Sequence, residues 1–291
     1  MTTATISEPF GLKLYRAASW ASAPVARMML RQRLRQGKED PTRMRERTGE
    51  AGRERPSGPL FWIHGASVGE SLSVLPLVAR LKANDPERHV LVTTGTVTSA
   101  RLMAERLPAG AIHQFIPVDH PRFVRGFLDH WRPDGAIFVE SEFWPNLLIE
   151  TRRRARFMAL VNGRVSPKSF EEWKSKPQSI RYLLSQFDLL IAQDRQNAER
   201  LATLSGRDVA SYGNLKNAAT PLPGDVMEET RILADLDGRP FWLAASTHPG
   251  EEEAIFAAHR ALKAELPGIV TLLAPRHPER GEEIAMLAAT H

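Results

Sequence analysis

The sequence contains no cysteine. Disulfides and thiolate metal sites are therefore excluded, and a reducing compartment is compatible with the chain. It also lacks any run of about 18 uncharged apolar residues, so a membrane-spanning helix is not expected. No secretory signal peptide is expected. His113, His120, His130 and His248 show no paired metal-ligand spacing, and no metal centre is expected from them. A basic body is missing as well. The net charge of the 291 residues is +5, but residues 1–55 alone carry 12 Lys/Arg against 6 Asp/Glu. The remaining 236 residues carry 27 against 28. With so little charge bias in the body and few aromatics interleaved in the basic part, no nucleic-acid partner is expected. What is present is ordinary apolar content and a length sufficient for two globular domains.

The basic arm, residues 1–55, comes first. Phe10, Leu14, Ala17, Ala21, Val25 and Met28 recur at helical spacing, with Trp20 nearby. Lys13 and Arg16 flank that stripe, and Arg27, Arg31, Arg33, Arg35 and Lys38 follow with no acid among them. This pattern predicts one or two amphipathic helices over residues 10–38, lying in an anionic membrane surface. The same helices docked on the body with a solvated basic face would give the same pattern. Residues 40–58, polar and charged, read as a linker or irregular loop.

The rest of the chain is organised around His64-Gly65-Ala66-Ser67-Val68-Gly69-Glu70. An apolar run over 60–63 predicts a strand before it. Leu72, Leu75, Val78, Ala79 and Leu81 predict an amphipathic helix after it. Strand, glycine-rich turn and helix place polar groups at the carboxyl edge of a parallel sheet. Glu70, in the helix's first turn, reads as a general base. Ser67 in Gly65-x-Ser67-x-Gly69 reads alternatively as a nucleophile on a sharp elbow. A plain turn, with Glu70 offsetting the helix dipole, is the third reading.

Strands are predicted at 60–63, 89–94, 111–117, 135–139, 157–161, 189–192 and 209–211, separated by helices. Near-continuous apolar strands imply a sheet covered on both faces, and the alternation implies a doubly wound α/β domain over 56–216. Residues 217–238, with Pro221, Pro223 and Gly224, read as an interdomain linker enclosing a short helix. A second α/β unit, 239–291, has predicted strands at 241–245 and 269–274 and a helix at 251–265. Asp235-Leu236-Asp237 resembles the Asp-x-Asp metal motif of sugar transferases, but its place before Gly238-Arg239-Pro240 reads as a helix stop.

Polar groups follow the carboxyl end of each strand: His64 and Ser67, Thr94 and Thr96, Asp119 and His120, Glu140 and Glu142, Asn162 and Arg164, Asn214 and Lys216, Ser246 and His248, Arg276 and His277. A row of this kind marks a cleft between two α/β domains. Glu140 and Glu142, directly after an apolar strand, are acids placed for ligand contact or for a structural arginine. In the second unit Ser246, Thr247 and the backbone around Gly250 could hold a phosphate at a helix N-terminus. Arg276 would supply positive charge to it, whereas Glu251, Glu252 and Glu253 would repel it.

Six motifs occur in order: His64 to Glu70, Glu140-Ser141-Glu142-Phe143-Trp144-Pro145-Asn146, Asn162-Gly163-Arg164, Gly213-Asn214-Leu215-Lys216, Ser246-Thr247-His248-Pro249-Gly250-Glu251 and Pro275-Arg276-His277. From about Arg43 onward the chain resembles the Kdo transferases, which move 3-deoxy-manno-octulosonic acid from CMP-Kdo to a lipid A precursor. The resemblance implies an α/β chain of the two-domain GT-B glycosyltransferase fold. It also implies an inverting, metal-independent reaction with no cofactor beyond the donor CMP-Kdo. The implied location is the cytoplasmic face of the inner membrane, peripheral or monotopic. Glu70 matches the family's catalytic glutamate. Ser67, Glu140, Glu142 and Arg164 are expected at the acceptor or transition state. Lys216, Ser246, Thr247, Gly250, Arg276 and His277 are expected at the donor. The family's second domain continues past Pro275-Arg276-His277 into a glycine-rich donor-binding segment that is missing here. The chain is therefore expected to be a fragment or truncated homologue that binds acceptor better than donor and turns over poorly. An α/β-hydrolase using Ser67 with His248 or His277, and a non-catalytic lipid-binding protein, are the alternatives. The sequence carries no signal of oligomeric state.

Overall fold

The computed structural model describes residues 6–218 and 224–290. Pro221 and Pro223 of the expected linker lie outside the described residues. Contacts divide the chain into two units, Met1–Thr220 and Pro221–His291.

The first unit opens with α1 (Phe10–Ala21) and α2 (Ala23–Arg35), then alternates strand and helix: β1 (Leu60–His64), α3 (Val68–Asn84), β2 (His89–Thr94), α4 (Val97–Arg106), β3 (Ala111–Phe115), α5 (Pro121–Trp131), β4 (Gly135–Val139) and α6 (Pro145–Arg152). It continues through β5 (Phe157–Gly163), α7 (Pro167–Lys174), α8 (Pro177–Leu184), β6 (Leu189–Ala192), α9 (Arg195–Ser205) and β7 (Ala210–Ser211). The seven strands are parallel, in the order β3-β2-β1-β4-β5-β6-β7. All seven expected strands are present. The order reverses between β1 and β4, which opens a crevice at their carboxyl ends.

Period-two alternation sends neighbouring side chains to opposite faces. Trp62 and Phe138 pack with Phe127, Trp131 and Leu148 on one face. Ile63, Val92 and Val139 pack with Val74, Val78 and Met103 on the other. Both faces are covered, which is why the strands are apolar along their whole length. The helices begin where local chemistry dictates. Ser67, Thr96 and Asp194 cap α3, α4 and α9 with side-chain oxygens, and Pro121, Pro145 and Pro167 occupy first turns. Helix α7 falls where no element was expected.

The arm is docked on this unit. Leu12, Ala26 and Leu30 are buried, Arg16 pairs with Glu150 at 2.9 Å, and the Tyr15 hydroxyl donates to Asp119 at 2.9 Å. Most of the stripe picked out in the sequence is exposed: Phe10 is 79% exposed, Leu14 59% and Met28 65%. Among the described residues no helix is long and apolar enough to cross a membrane. Residues 40–58 are also more ordered than a linker. Met44–Thr48 forms a 3-10 turn, and the buried Glu46 accepts from the Phe115 amide at 2.7 Å. At Gly49, φ is +88° and a Cβ would lie 2.0 Å from the Phe123 carbonyl oxygen. Only glycine lets this segment lie so close to α5.

The second unit has α10 (Val226–Leu236), β8 (Phe241–Thr247), α11 (Glu251–Glu265), β9 (Val270–Pro275) and α12 (Gly281–Ala289), with β8 and β9 paired in parallel. Helix α10 ends at Leu236 and Asp237 takes the left-handed conformation that follows a helix. The Asp-x-Asp pattern is thus a helix stop, as its setting predicts. Among the described residues, the buried apolar side chains here are Leu236, Ala244 and Ile284.

Candidate active site

The crevice between β1 and β4 gathers four of the six motifs. Glu70 is the third residue of α3. The Ser67 hydroxyl accepts from the Glu70 amide at 3.3 Å and donates to Glu70 Oε1 at 2.7 Å, while the Ala66 amide donates to Oε2 at 2.7 Å. This is a capping box, and it fixes the carboxylate without exhausting its lone pairs. A Cβ on Gly65 would lie 3.1 Å from Glu70 Cβ, so Gly65 makes room for the folded-back side chain. Glu70 is 8% exposed. Burial pushes its carboxyl above the ordinary value; the bonds from Ser67 and Ala66 oppose this, and Glu140 and Glu142 add to the rise. A carboxylate with a raised pKa is a stronger base near neutral pH.

Glu140 sits at the end of β4 with φ of 62°, and Asn162 in the last turn of β5 with φ of 55°. Left-handed backbone in non-glycine residues costs about 1–2 kcal/mol, and such strain persists where surrounding structure over-determines it. Here the constraints are visible. Glu140 is bonded by backbone to Val161 and Arg164. Asn162 Oδ1 accepts from the Leu215 amide at 2.9 Å. That bond seats Lys216, whose Nζ is 3.2 Å from Glu140 Oε1 and beside Gly69. Arg164, exposed, is 3.9 Å from Glu140 Oε2. The Asn162 Nδ2 group is buried and has no hydrogen-bond partner among the described residues.

Glu142 has a different setting. Its Oε2 lies 3.7 Å from His64 Nε2 and accepts from Trp144 Nε1 at 2.5 Å. Burial pushes Glu142 up, but His64 and Trp144 outweigh it and hold the carboxyl below its ordinary value. His64 is anchored from behind by Thr93 Oγ1 at 3.0 Å, which also accepts from Trp62 Nε1 at 2.8 Å. Two neighbouring carboxylates are thus pushed in opposite directions, the pattern that separates a base from a permanently charged group.

Other members of the expected row are structural. Thr96 caps α4 and His120 caps α5. Asp119 holds the start of α6 through the Asn146 and Leu147 amides, and Thr94 bonds His113. Lys216, expected among donor contacts, pairs with Glu140 inside the first unit; no local pattern announces that long-range contact. The hydrolase alternative needs Ser67 beside a histidine, but its hydroxyl is engaged by Glu70.

In the second unit Ser246 has φ of 61° at the end of β8 and Gly250 precedes α11. Thr247 is turned inward and donates to Glu252 Oε1 at 3.2 Å, while Glu251 accepts from the His248 amide at 2.8 Å. Arg276 and His277 are exposed. The helix N-terminus is therefore partly filled by the chain's own acids, and the exposed Ser246 and Arg276 are its groups most open to an anion. Among the described residues no cluster of three or more His, Cys, Asp or Glu side chains could hold a metal ion.

The parallel sheet with its crevice at the β1/β4 reversal, followed by a second βαβ unit, defines the GT-B class of glycosyltransferase folds. In that class the UDP-GlcNAc 2-epimerase of Neisseria meningitidis, solved bound to UDP-GlcNAc, is similar over 80% of this chain and 70% of its own, with a TM-score of 0.53 and 11% identity. The family follows from sequence. A profile described as 3-deoxy-D-manno-octulosonic-acid transferase (kdotransferase) matches residues 42–219, and the chain belongs to that family. The 3-deoxy-D-manno-octulosonic acid transferase of Rickettsia bellii is 36% identical over 273 residues, 94% of this chain and 65% of the relative. That of Rickettsia felis is 37% identical over 80% of this chain and 50% of its own length. The chain thus spans about half to two thirds of the length of these curated relatives.

Proposed function

We propose that the crevice activates a sugar hydroxyl of a lipid A precursor for attack on CMP-Kdo. Glu70 accepts the hydroxyl proton as the new C–O bond forms at the anomeric carbon. The bond from that carbon to the CMP phosphate breaks, and its electron pair leaves with CMP. The acceptor attacks opposite the leaving group through an oxocarbenium-like state, so the configuration inverts. No metal or cofactor takes part. Lys216 and Arg164 balance the charge of Glu140 beside the reacting sugar. Ser246, Gly250, Arg276 and His277 contact the donor phosphate, Thr247 being held inward by Glu252, and cations there stabilise the charge that develops on the phosphate. The observation that carries this reading is the buried, like-charge-flanked Glu70 at the strand-order reversal. In a chain extended to the full length of its relatives, Glu70→Gln should keep acceptor binding and lower CMP release by roughly 10²–10⁴-fold. CMP release near that of the unaltered chain would rule out the role of Glu70.

The reading includes a peripheral site on the cytoplasmic face of the inner membrane. Its support is the exposed apolar stripe of α1 and α2 together with the arm's excess of Lys and Arg. An exposed apolar patch beside basic residues fits an anionic lipid surface. Deleting residues 1–38 should release the protein from anionic vesicles, and raised salt should weaken binding of the intact chain. Equal vesicle binding by the deleted form would contradict it.

A further inference from the structure

A groove of about 610 Å³ runs between the docked arm and the carboxyl edge of the sheet. Ala18, Val25 and Met29 line it from the arm and Ile116 and Leu147 from the body, and Ala66 lines it as well. The groove therefore adjoins the candidate active site, because the Ala66 amide holds the Glu70 carboxylate and Glu142 also lines the groove. The polar groups along the walls are already engaged. Tyr15 donates to Asp119, and Arg47 is held by the Ile116 carbonyl and by Glu39 at 3.3 Å. Burial and Asp119 push the Tyr15 phenol up, so it stays a donor to that carboxylate. The walls are therefore mainly apolar, which favours an aliphatic occupant. The part lined by Ala66 and Glu142, beside Glu70, is suited to a polar head.

We infer that this groove holds one acyl chain of the lipid acceptor, with the acceptor's sugar at Glu70. The inference rests on the proposed transferase reading. Continuity with the candidate base ties the occupant to the acceptor rather than to bulk lipid. The bilayer has its own surface on the same helices, at Phe10, Leu14 and Met28, which do not line the groove. The arm would then serve twice, as membrane contact on one side and as a chain clamp on the other.

The test is calorimetry on the whole chain with an acylated, phosphorylated glucosamine disaccharide and with the same disaccharide stripped of its chains. The unaltered protein should bind the acylated form at least about tenfold more tightly. Ala18→Trp, which fills the groove from an exposed helix position, should abolish that preference and leave affinity for the stripped form unchanged. Met29→Gln, which adds polarity without bulk, should reduce the preference and guards against misfolding of the first variant. Excess phosphatidylglycerol should not displace the acylated ligand. A preference that survives both substitutions, or displacement by phospholipid, would overturn the groove assignment while leaving the transferase reading intact. Equal binding of both forms by the unaltered chain would do the same. Binding of neither form would instead remove the transferase reading, and the groove assignment with it.

Discussion

Glu70 and Glu252 occupy equivalent places in the two units. Each lies in the first turn of a helix that follows the first strand of its unit, each is buried, and each takes a hydrogen bond from a hydroxyl just upstream, Ser67 or Thr247. Their surroundings differ in sign. Arg280 lies 2.8 Å from Glu252 and, as the main cause, holds its carboxyl down to about 2. Glu70 is raised by burial, with two further carboxylates adding to the rise. Similar turns thus hold a carboxylate fixed in an ion pair in one unit and a carboxyl with a raised pKa in the other. The hydrogen-bonded arginine sets the outcome at Glu252, whereas burial sets it at Glu70.

The sharpest break of this comparison is substitution at both places. Glu70→Gln should remove most turnover, by the roughly 10²–10⁴-fold expected for loss of a general base. Glu252→Gln should leave the pH dependence of turnover in place and act on stability of the second unit. The pH dependence of stability should also have opposite signs. Glu252 has a depressed folded-state pKa, so its contribution is present above about 4.5 and is lost as pH falls towards about 2. Glu70 has a raised one, so ionising it opposes folding as pH rises through its folded pKa. Thermal melts of Glu252→Gln should therefore lose less stability on acidification than those of the unaltered chain. A parallel acid dependence would contradict the assignment. The smallest effect is expected at Glu142. Its charge raises the Glu70 pKa, so Glu142→Gln should shift the acid limb of the CMP-release profile to lower pH. A shift to higher pH would show that Glu142 acts mainly by another route.

Much of the sheet is legible in the chain because its strands are buried on both faces and read as unbroken apolar runs. Helix α7 is not, because its inward residues are only Phe170 and Trp173, half-buried at the edge of the core. The order in residues 40–58 comes from Glu46 reaching Phe115, a contact between charged and backbone groups that leaves no apolar period. The arm shows a related ambiguity. Its residues at helical spacing, Phe10 to Met28, face outward, while Leu12, Ala26 and Leu30 dock. Periodicity identifies a face but not what covers it. At the site, Glu70 and Glu140 are legible from their place after strands. The pairing of Lys216 with Glu140 depends on Asn162 holding Leu215 from 53 residues away, which no local spacing encodes. Thr96, Asp119 and His120 stand in the same row by sequence, yet hydrogen bonding makes them helix caps.

Of this matched pair, Glu70 alone has its carboxyl pushed above the ordinary value. Carboxyl carbon NMR of the whole chain, labelled at glutamate and assigned through Glu70→Gln and Glu252→Gln, measures both groups in one titration. The account predicts a Glu70 midpoint above the ordinary glutamate value and a Glu252 midpoint well below it. Coincident midpoints, or a Glu70 midpoint at or below the ordinary value, would contradict it.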